Sequence, residues 1–145
     1  MKIVFMGTHE FSVNVLLGLL EKHEVVLVVT QPDKLVGRKQ TLEYSPVKKC
    51  ALEHGLNVFQ PKKIKDEYQA VLDAKPDIII TAAFGQFIPN VILEYPEYGC
   101  INVHGSLLPK YRGGSPIQTA IINGEKETGI TVMYMASKMD SGNII

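Results

Sequence analysis

The sequence predicts an α/β domain of the Rossmann-like kind, a mostly parallel twisted sheet with helices on both faces. Three observations predict it. Short apolar runs at residues 2–6, 24–30 and 78–83 alternate along the chain with segments whose apolar residues keep helical spacing. The most apolar run, Ile78-Ile79-Ile80-Thr81-Ala82-Ala83, lacks the polar alternation of a half-exposed strand, as expected for a central strand covered on both sides. Finally, the runs end in glycine, proline or polar residues, the punctuation of strands that give way to loops.

Taken in order, residues 2–6 form the first strand and Gly7-Thr8 breaks it, with Thr8 expected to cap a helix over 10–21. Phe11, Val15, Leu16, Leu19 and Leu20 supply that helix's apolar face. The turn holds one glycine where a dinucleotide fingerprint needs three, which argues against a nicotinamide or flavin cofactor. The second strand, 24–30, leads into residues 31–44, which show no sustained period and are expected to be a long functional loop. Between Lys34 and Lys49 five basic residues, Lys34, Arg38, Lys39, Lys48 and Lys49, face the single acid Glu43. Ser45-Pro46 opens the next helix with an N-cap and a proline at its first position, and Gly55 closes it. His54 beside it reads as a charge complement to the helix end rather than a catalyst. A short strand at 57–59 and a polar helix at 66–74 follow. After the central strand, Phe84-Gly85-Gln86-Phe87-Ile88-Pro89 makes a glycine turn with apolar flanks, then a short helix through Leu93. Apolar residues there suit either the core or the wall of a pocket for a flat aromatic ligand. Ser115-Pro116 repeats the cap-plus-proline device for a helix to about 123, and 127–135 reads as a strand with Thr131, Met133 and Met135 on one face. Asn143-Ile144-Ile145 reads as the first residues of a further strand, so the domain over 1–145 is expected to be incomplete at its C-terminal end.

Composition excludes several classes. Fifteen Lys and Arg balance fifteen Asp and Glu, so any polyanion must be drawn by a local patch rather than by overall charge. Cys50 and Cys100 stand far apart in unlike contexts, consistent with two reduced, partly buried thiols. No His-x-His or Cys-x-x-Cys ligand spacing occurs, and no metal is expected. Without a signal-peptide pattern at its start or an apolar run long enough to span a bilayer, the chain is expected to be cytoplasmic, away from membranes and monomeric.

The stretch 99–116 concentrates the chemistry. A short apolar strand stops at Asn102-Val103-His104 and runs into Gly105-Ser106-Leu107-Leu108-Pro109-Lys110-Tyr111-Arg112-Gly113. Because strand side chains alternate with period 2, Asn102 and His104 point the same way, bringing an amide donor beside a titratable imidazole. In open α/β sheets, ligands bind beyond the carboxyl ends of the strands. Asp140, in Met139-Asp140-Ser141-Gly142, lies in the loop over 136–142 that follows the next strand and could close over the same edge. Each of these residues alone has an ordinary reading, the asparagine and aspartate as turn formers and the histidine as a satisfied surface residue.

Together, Asn102-x-His104, Ser106-Leu107-Leu108-Pro109, Tyr111-Arg112-Gly113 and Asp140 resemble the signature of the folate-dependent formyltransferases. The resemblance covers essentially all 145 residues. It implies the formyltransferase fold, 10-formyltetrahydrofolate as co-substrate and Asn102, His104 and Asp140 as catalytic residues. Formyl transfer passes through a tetrahedral oxyanion, for which Asn102 is a suitable donor. His104 can share that oxyanion or move the proton, and Asp140 can orient His104 and hold it charged. By the same resemblance, Ser106, Leu107, Leu108 and Pro109 belong to the folate site; Phe87 and Ile88, on the turn read above as core or pocket wall, are then the expected wall.

Within the family, Thr30-Gln31-Pro32-Asp33, Gly37-Arg38 and Ser45-Pro46-Val47-Lys48 resemble the members acting on methionyl-initiator tRNA, in which this loop reaches the acceptor end. Lys34, Arg38 and Lys39 are then the expected tRNA contacts, through phosphates and, for Arg38, an exposed base. Lys34 stands where arginine is commoner, Leu35-Val36 replaces the usual Pro-Ala, and His9 replaces the commoner proline. The resemblance also implies a C-terminal β-barrel domain that helps hold tRNA and lies outside residues 1–145. Two alternatives remain at this level: a glycinamide-ribonucleotide or sugar-nucleotide formyltransferase, and a non-catalytic folate- or RNA-binding module.

Overall fold

The strand Lys2–Gly7, β1, lies near the middle of a six-stranded sheet, and its burial explains the position. In the computed structural model, which describes residues 1–145, Ile3 to Met6 are all buried, with Ile3 and Phe5 facing one layer of helices and Val4 and Met6 the other. The remaining elements are α1 (Glu10–Leu20), β2 (Glu24–Val29), β3 (Lys34–Val36), β4 (Thr41–Glu43), α2 (Pro46–Glu53), β5 (Val58–Phe59), α3 (Gln69–Asp73), β6 (Ile78–Ala82), α4 (Asn90–Leu93), β7 (Cys100–His104), α5 (Pro116–Ile122) and β8 (Thr131–Tyr134). The sheet runs β5-β2-β1-β6-β7-β8, parallel except for the antiparallel β7/β8 pair, as the sequence pattern predicts.

Two cores flank this sheet. One packs Ile3, Phe5, Ile80 and Ala82 against Leu16 of α1 and Val47, Cys50 and Ala51 of α2. The other packs Val4, Met6, Ile79 and Cys100 against Val71 of α3 and Ile92 of α4. A register shift between Ile3 and Val4 lets Val25 and Val28, three apart, join the same core. Each fully buried side chain of Phe5 or Leu16 size contributes roughly 1.5–3 kcal/mol by leaving water.

Several sequence expectations are corrected. Residues 34–43 form an antiparallel hairpin, β3 paired with β4 from Lys34↔Glu43 to Val36↔Thr41, rather than an irregular loop. All six strand residues are exposed, so burial imposes no period on them. Thr8 does not cap α1: its hydroxyl donates to Phe84 O at 2.7 Å, and His9 takes the N-cap position without a side-chain bond. Ser45 does cap α2, accepting from Lys48 N at 3.0 Å, but Ser115 makes no side-chain cap for α5 because its backbone is not extended. The polar helix shortens to Gln69–Asp73. The last strand shortens to Thr131–Tyr134 because Thr131 lies opposite His104, the end of β7, leaving residues before it without a partner strand. Asn143–Ile145 lie along the other edge of β8, with Tyr134 N to Asn143 O and Ile145 N to Val132 O both at 2.9 Å.

Candidate active site

Strand parity builds the site. Cys100, Asn102 and His104 share one face of β7, and Cys100 sits in the α3/α4 core, where burial pushes its thiol up to about 12. Two residues further the strand leaves that core, and the same face becomes polar. Across the ladder Asn102 is paired with Thr81 of β6. Thr81 Oγ1 donates to Asn102 Oδ1 at 2.8 Å, which fixes the carboxamide and leaves its Nδ2 hydrogens without a protein acceptor and not sealed from solvent.

His104 is 6% exposed and held from two sides. Its Nε2 is 2.8 Å from Tyr111 O, and its Nδ1 is 3.8 Å from Asp140 Oδ1. The second distance is longer than a hydrogen bond, so Nδ1 can exchange this partner for a reacting group. Asp140 Oδ2 accepts from Gly113 N at 2.8 Å, fastening the loop after β8 onto the loop after β7. Tyr111 and Asp140 both take positive φ, 57° and 50°, where non-glycine residues are uncommon. The Tyr111 hydroxyl donates to Glu125 Oε1 at 2.6 Å and, with Lys110, holds that carboxyl below its usual range.

Asn102, His104 and Asp140 line one cleft of about 430 Å³, as their residue types suggested. The turn between β6 and α4 forms the opposite wall. There Phe84 and Ile88 are buried while Phe87 is 67% exposed. The carbonyls of Ala83, Phe84 and Gly85 are taken within the protein, by Thr8 N, Thr8 Oγ1 and Gln31 Nε2. In contrast, the N–H groups of Phe84, Gly85, Gln86, Phe87 and Ile88 have no protein acceptor. An apolar wall with a row of free backbone donors suits the edge and face of a flat heteroaromatic ring.

The other expected residues lie apart from this cleft. Ser106, Leu107, Leu108 and Pro109 do not line it. Ser106 is buried with its hydroxyl on Lys110 O, and Leu108 N donates to Thr131 Oγ1, so this segment shapes the β7 loop. Lys34 lines a smaller groove of about 210 Å³ between the hairpin and the β1–α1 turn, together with Tyr44 and His9. His9 also borders the main cleft. Arg38 and Lys39 stand exposed at the hairpin tip. Sequence reasoning missed Thr81, although it is the one polar side chain in its apolar run. It also missed the Tyr111 carbonyl and the Gly113 amide, which are backbone groups with no residue signature. No three His, Cys, Asp or Glu side chains gather closely enough to hold a metal ion, and no helix is long and apolar enough to cross a membrane.

A family model described as Formyl transferase matches residues 1–145. The chain belongs to the formyl transferase family. As a formyl transferase domain, it is 60% identical over its full length to a methionyl-tRNA formyltransferase of Halalkalibacterium halodurans, covering 47% of that protein. It is 56% identical, over 99% of its length and 47% of the relative, to one from Staphylococcus epidermidis. The chain thus spans about half the length of the curated relatives it matches. Among solved structures, the fold of this formyl transferase chain is shared with a phosphoribosylglycinamide formyltransferase from Bacillus halodurans (TM-score 0.79, 21% identity, 100% of this chain and 77% of that one). A formyltetrahydrofolate deformylase from Pseudomonas syringae shares it too (TM-score 0.76, 19% identity, 99% and 49%).

Proposed function

We propose that this domain transfers the formyl group of 10-formyltetrahydrofolate to the α-amino group of methionyl-initiator tRNA. The observation that carries the chemistry is the convergence of Asn102, His104 and Asp140 on one cleft whose other wall is the Phe84–Ile88 turn. The likeness to methionyl-tRNA formyltransferases along the whole chain favours tRNA as the acceptor.

In this reading the pteridine ring lies along the turn, its edge acceptors on the free N–H groups and its face near Phe87 and Ile88. Ser106, Leu107, Leu108 and Pro109 act on folate through the shape of the β7 loop. The amine attacks the formyl carbon, a carbon–nitrogen bond forms, and the carbonyl electrons move onto oxygen. Asn102 Nδ2 donates to that oxyanion from a position preset by Thr81. Such preorganised donors are worth about 3–4 kcal/mol in the transition state. As the intermediate collapses, the bond to the folate nitrogen breaks. His104 serves the transfer of the amine's proton to that leaving nitrogen, and the Asp140 carboxylate steadies the imidazolium in between. The product is a formamide and tetrahydrofolate, with atoms and charge balanced. Lys34, Arg38 and Lys39 contact the tRNA from the hairpin.

The test is formyl transfer from 10-formyltetrahydrofolate to methionyl-initiator tRNA by the protein as its gene encodes it, beside His104→Ala and Arg38→Ala. Loss with the first and a raised tRNA KM with the second are expected. Formylation of a small nucleotide amine in preference to methionyl-tRNA would overturn the acceptor.

A further inference from the structure

The hairpin and the donor-side turn are far apart in sequence, yet one side chain joins them. Gln31 lies three residues before β3, separated from it by Pro32, whose fixed φ limits the bend of the connection, and Asp33. Gln31 Nε2 donates to Gly85 O at 3.0 Å, and Gln31 Oε1 accepts from Gln86 Nε2 at 2.8 Å. Its own backbone is also held, N donating to Thr8 Oγ1 at 3.3 Å and O accepting from Gln60 Nε2 at 3.3 Å. The approach is close enough that a Cβ on Gly85 would come within 2.8 Å of Gln31 Nε2, and Gly85 has φ +93°. The far end of the bridge is equally committed. Gln86 Nε2 also donates to Pro61 O at 3.0 Å, and its Oε1 accepts from Ile64 N at 2.7 Å.

At the hairpin's root, Asp33 is clamped by Lys48 Nζ at 3.0 Å and by Gln60 Nε2 at 2.7 Å, and Lys48 sits 3.7 Å above the ring of Tyr44, the residue after β4. Beyond these anchors the strands are exposed on both sides, and an isolated two-stranded hairpin is marginal in water. The hairpin's orientation is therefore set at its root, by residues that continue directly into the Gln31 bridge.

We infer that Gln31 is a positioning residue that couples acceptor binding on the β3–β4 hairpin to donor binding on the Phe84–Ile88 turn. A polyanion held by the hairpin narrows the range of its root, which keeps Gln31 on Gly85 O and holds the turn's free N–H groups in the orientation that meets the donor. Any such effect is reciprocal: the donor must tighten acceptor binding by the same factor. The inference rests on the functional reading above and adds to it an order-independent cooperation between the two substrates.

The experiment titrates 10-formyltetrahydrofolate into the protein as its gene encodes it, with and without saturating deacylated initiator tRNA, which lacks the α-amino group that would consume the donor. In the wild type, tRNA should lower the donor Kd about fivefold or more, within the usual range for coupled sites. Gln31→Ala should reduce that factor to below about twofold while each ligand alone still binds. Gln31→Glu, equal in size, loses the donor to Gly85 O but can still accept from Gln86, and should lose most of the coupling with little change in thermal stability. A merely structural role would lower stability and both affinities without removing the coupling, which overturns the inference. Two independent sites in the wild type, or unchanged coupling in both variants, overturn it as well, while the transferase reading stands if formyl transfer is intact. A wild type that binds folate but no tRNA overturns the acceptor reading, and the coupling falls with it.

Discussion

The Thr81 hydroxyl meets Asn102 Oδ1 at 2.8 Å across the β6/β7 ladder, so the donor proposed to face the oxyanion is aimed by a neighbouring strand rather than by its own loop. Asn102→Ala is expected to lower kcat about 100- to 1,000-fold, the usual result of deleting an oxyanion donor. Thr81→Val keeps the shape and frees the amide to rotate. It should lower kcat about tenfold, roughly 1.4 kcal/mol, with the donor KM within about twofold. Steady-state kinetics on the pair checks this, and a Thr81→Val enzyme altered only in KM would count against the assignment.

Asp140→Asn retains an oxygen for Gly113 N but removes the charge 3.8 Å from His104 Nδ1. We expect kcat to fall about 100-fold, in the range of general acid–base contributions. Circular dichroism should remain that of the wild type. Lower thermal stability with an unchanged kcat would make Asp140 a loop fastener only.

Arg38→Ala and Lys39→Ala alter exposed residues at a hairpin tip, so each should change unfolding free energy by less than about 0.5 kcal/mol. Their effect is expected on the proposed tRNA binding. Removing each phosphate contact should make log K less steep against log salt by about one unit. Equal slopes for wild type and the double variant would place the tRNA elsewhere.

Burial in the α3/α4 core raises the Cys100 thiol to about 12 from its ordinary 9, so the folded state retains a proton that the unfolded chain releases. This contribution to stability is complete below about pH 9 and is lost as pH rises towards 12, because the unfolded state then binds fewer protons. Urea titrations at pH 8, 9.5 and 10.5 should show a falling midpoint. Cys100→Ala, although less stable at pH 8, should show a shallower fall.

Much of the fold was legible because burial imposes a period. Residues 3–6, 25–30 and 78–82 are buried or half-buried throughout, and their apolar continuity announced it. Asn102 and His104 were legible through parity, since they had to share a face, whereas Asp140 rested on the family resemblance. The hairpin was not, because Lys34–Val36 and Thr41–Glu43 touch water on both sides and carry no alternation. Nor could the sequence give the Thr81–Asn102 register, which depends on how two distant strands align. Thr8 was misread for a related reason. A threonine after a strand and before a helix looks like a cap, and only the arrival of Phe84 just past the end of the neighbouring strand β6 diverts its hydroxyl.

A ribbon that stands clear of both cores leaves evolution an unusual freedom. Replacing Leu35, Val36 or Lys39 opens no void and strands no buried charge. Mutations that retune the proposed tRNA contact can therefore accumulate there one at a time, invisible to selection for foldedness. The sheet edge that holds Asn102 and His104 has no such latitude. Recognition and chemistry can thus change at different speeds along one chain, with new acceptors sampled at the hairpin while the reaction itself is inherited intact.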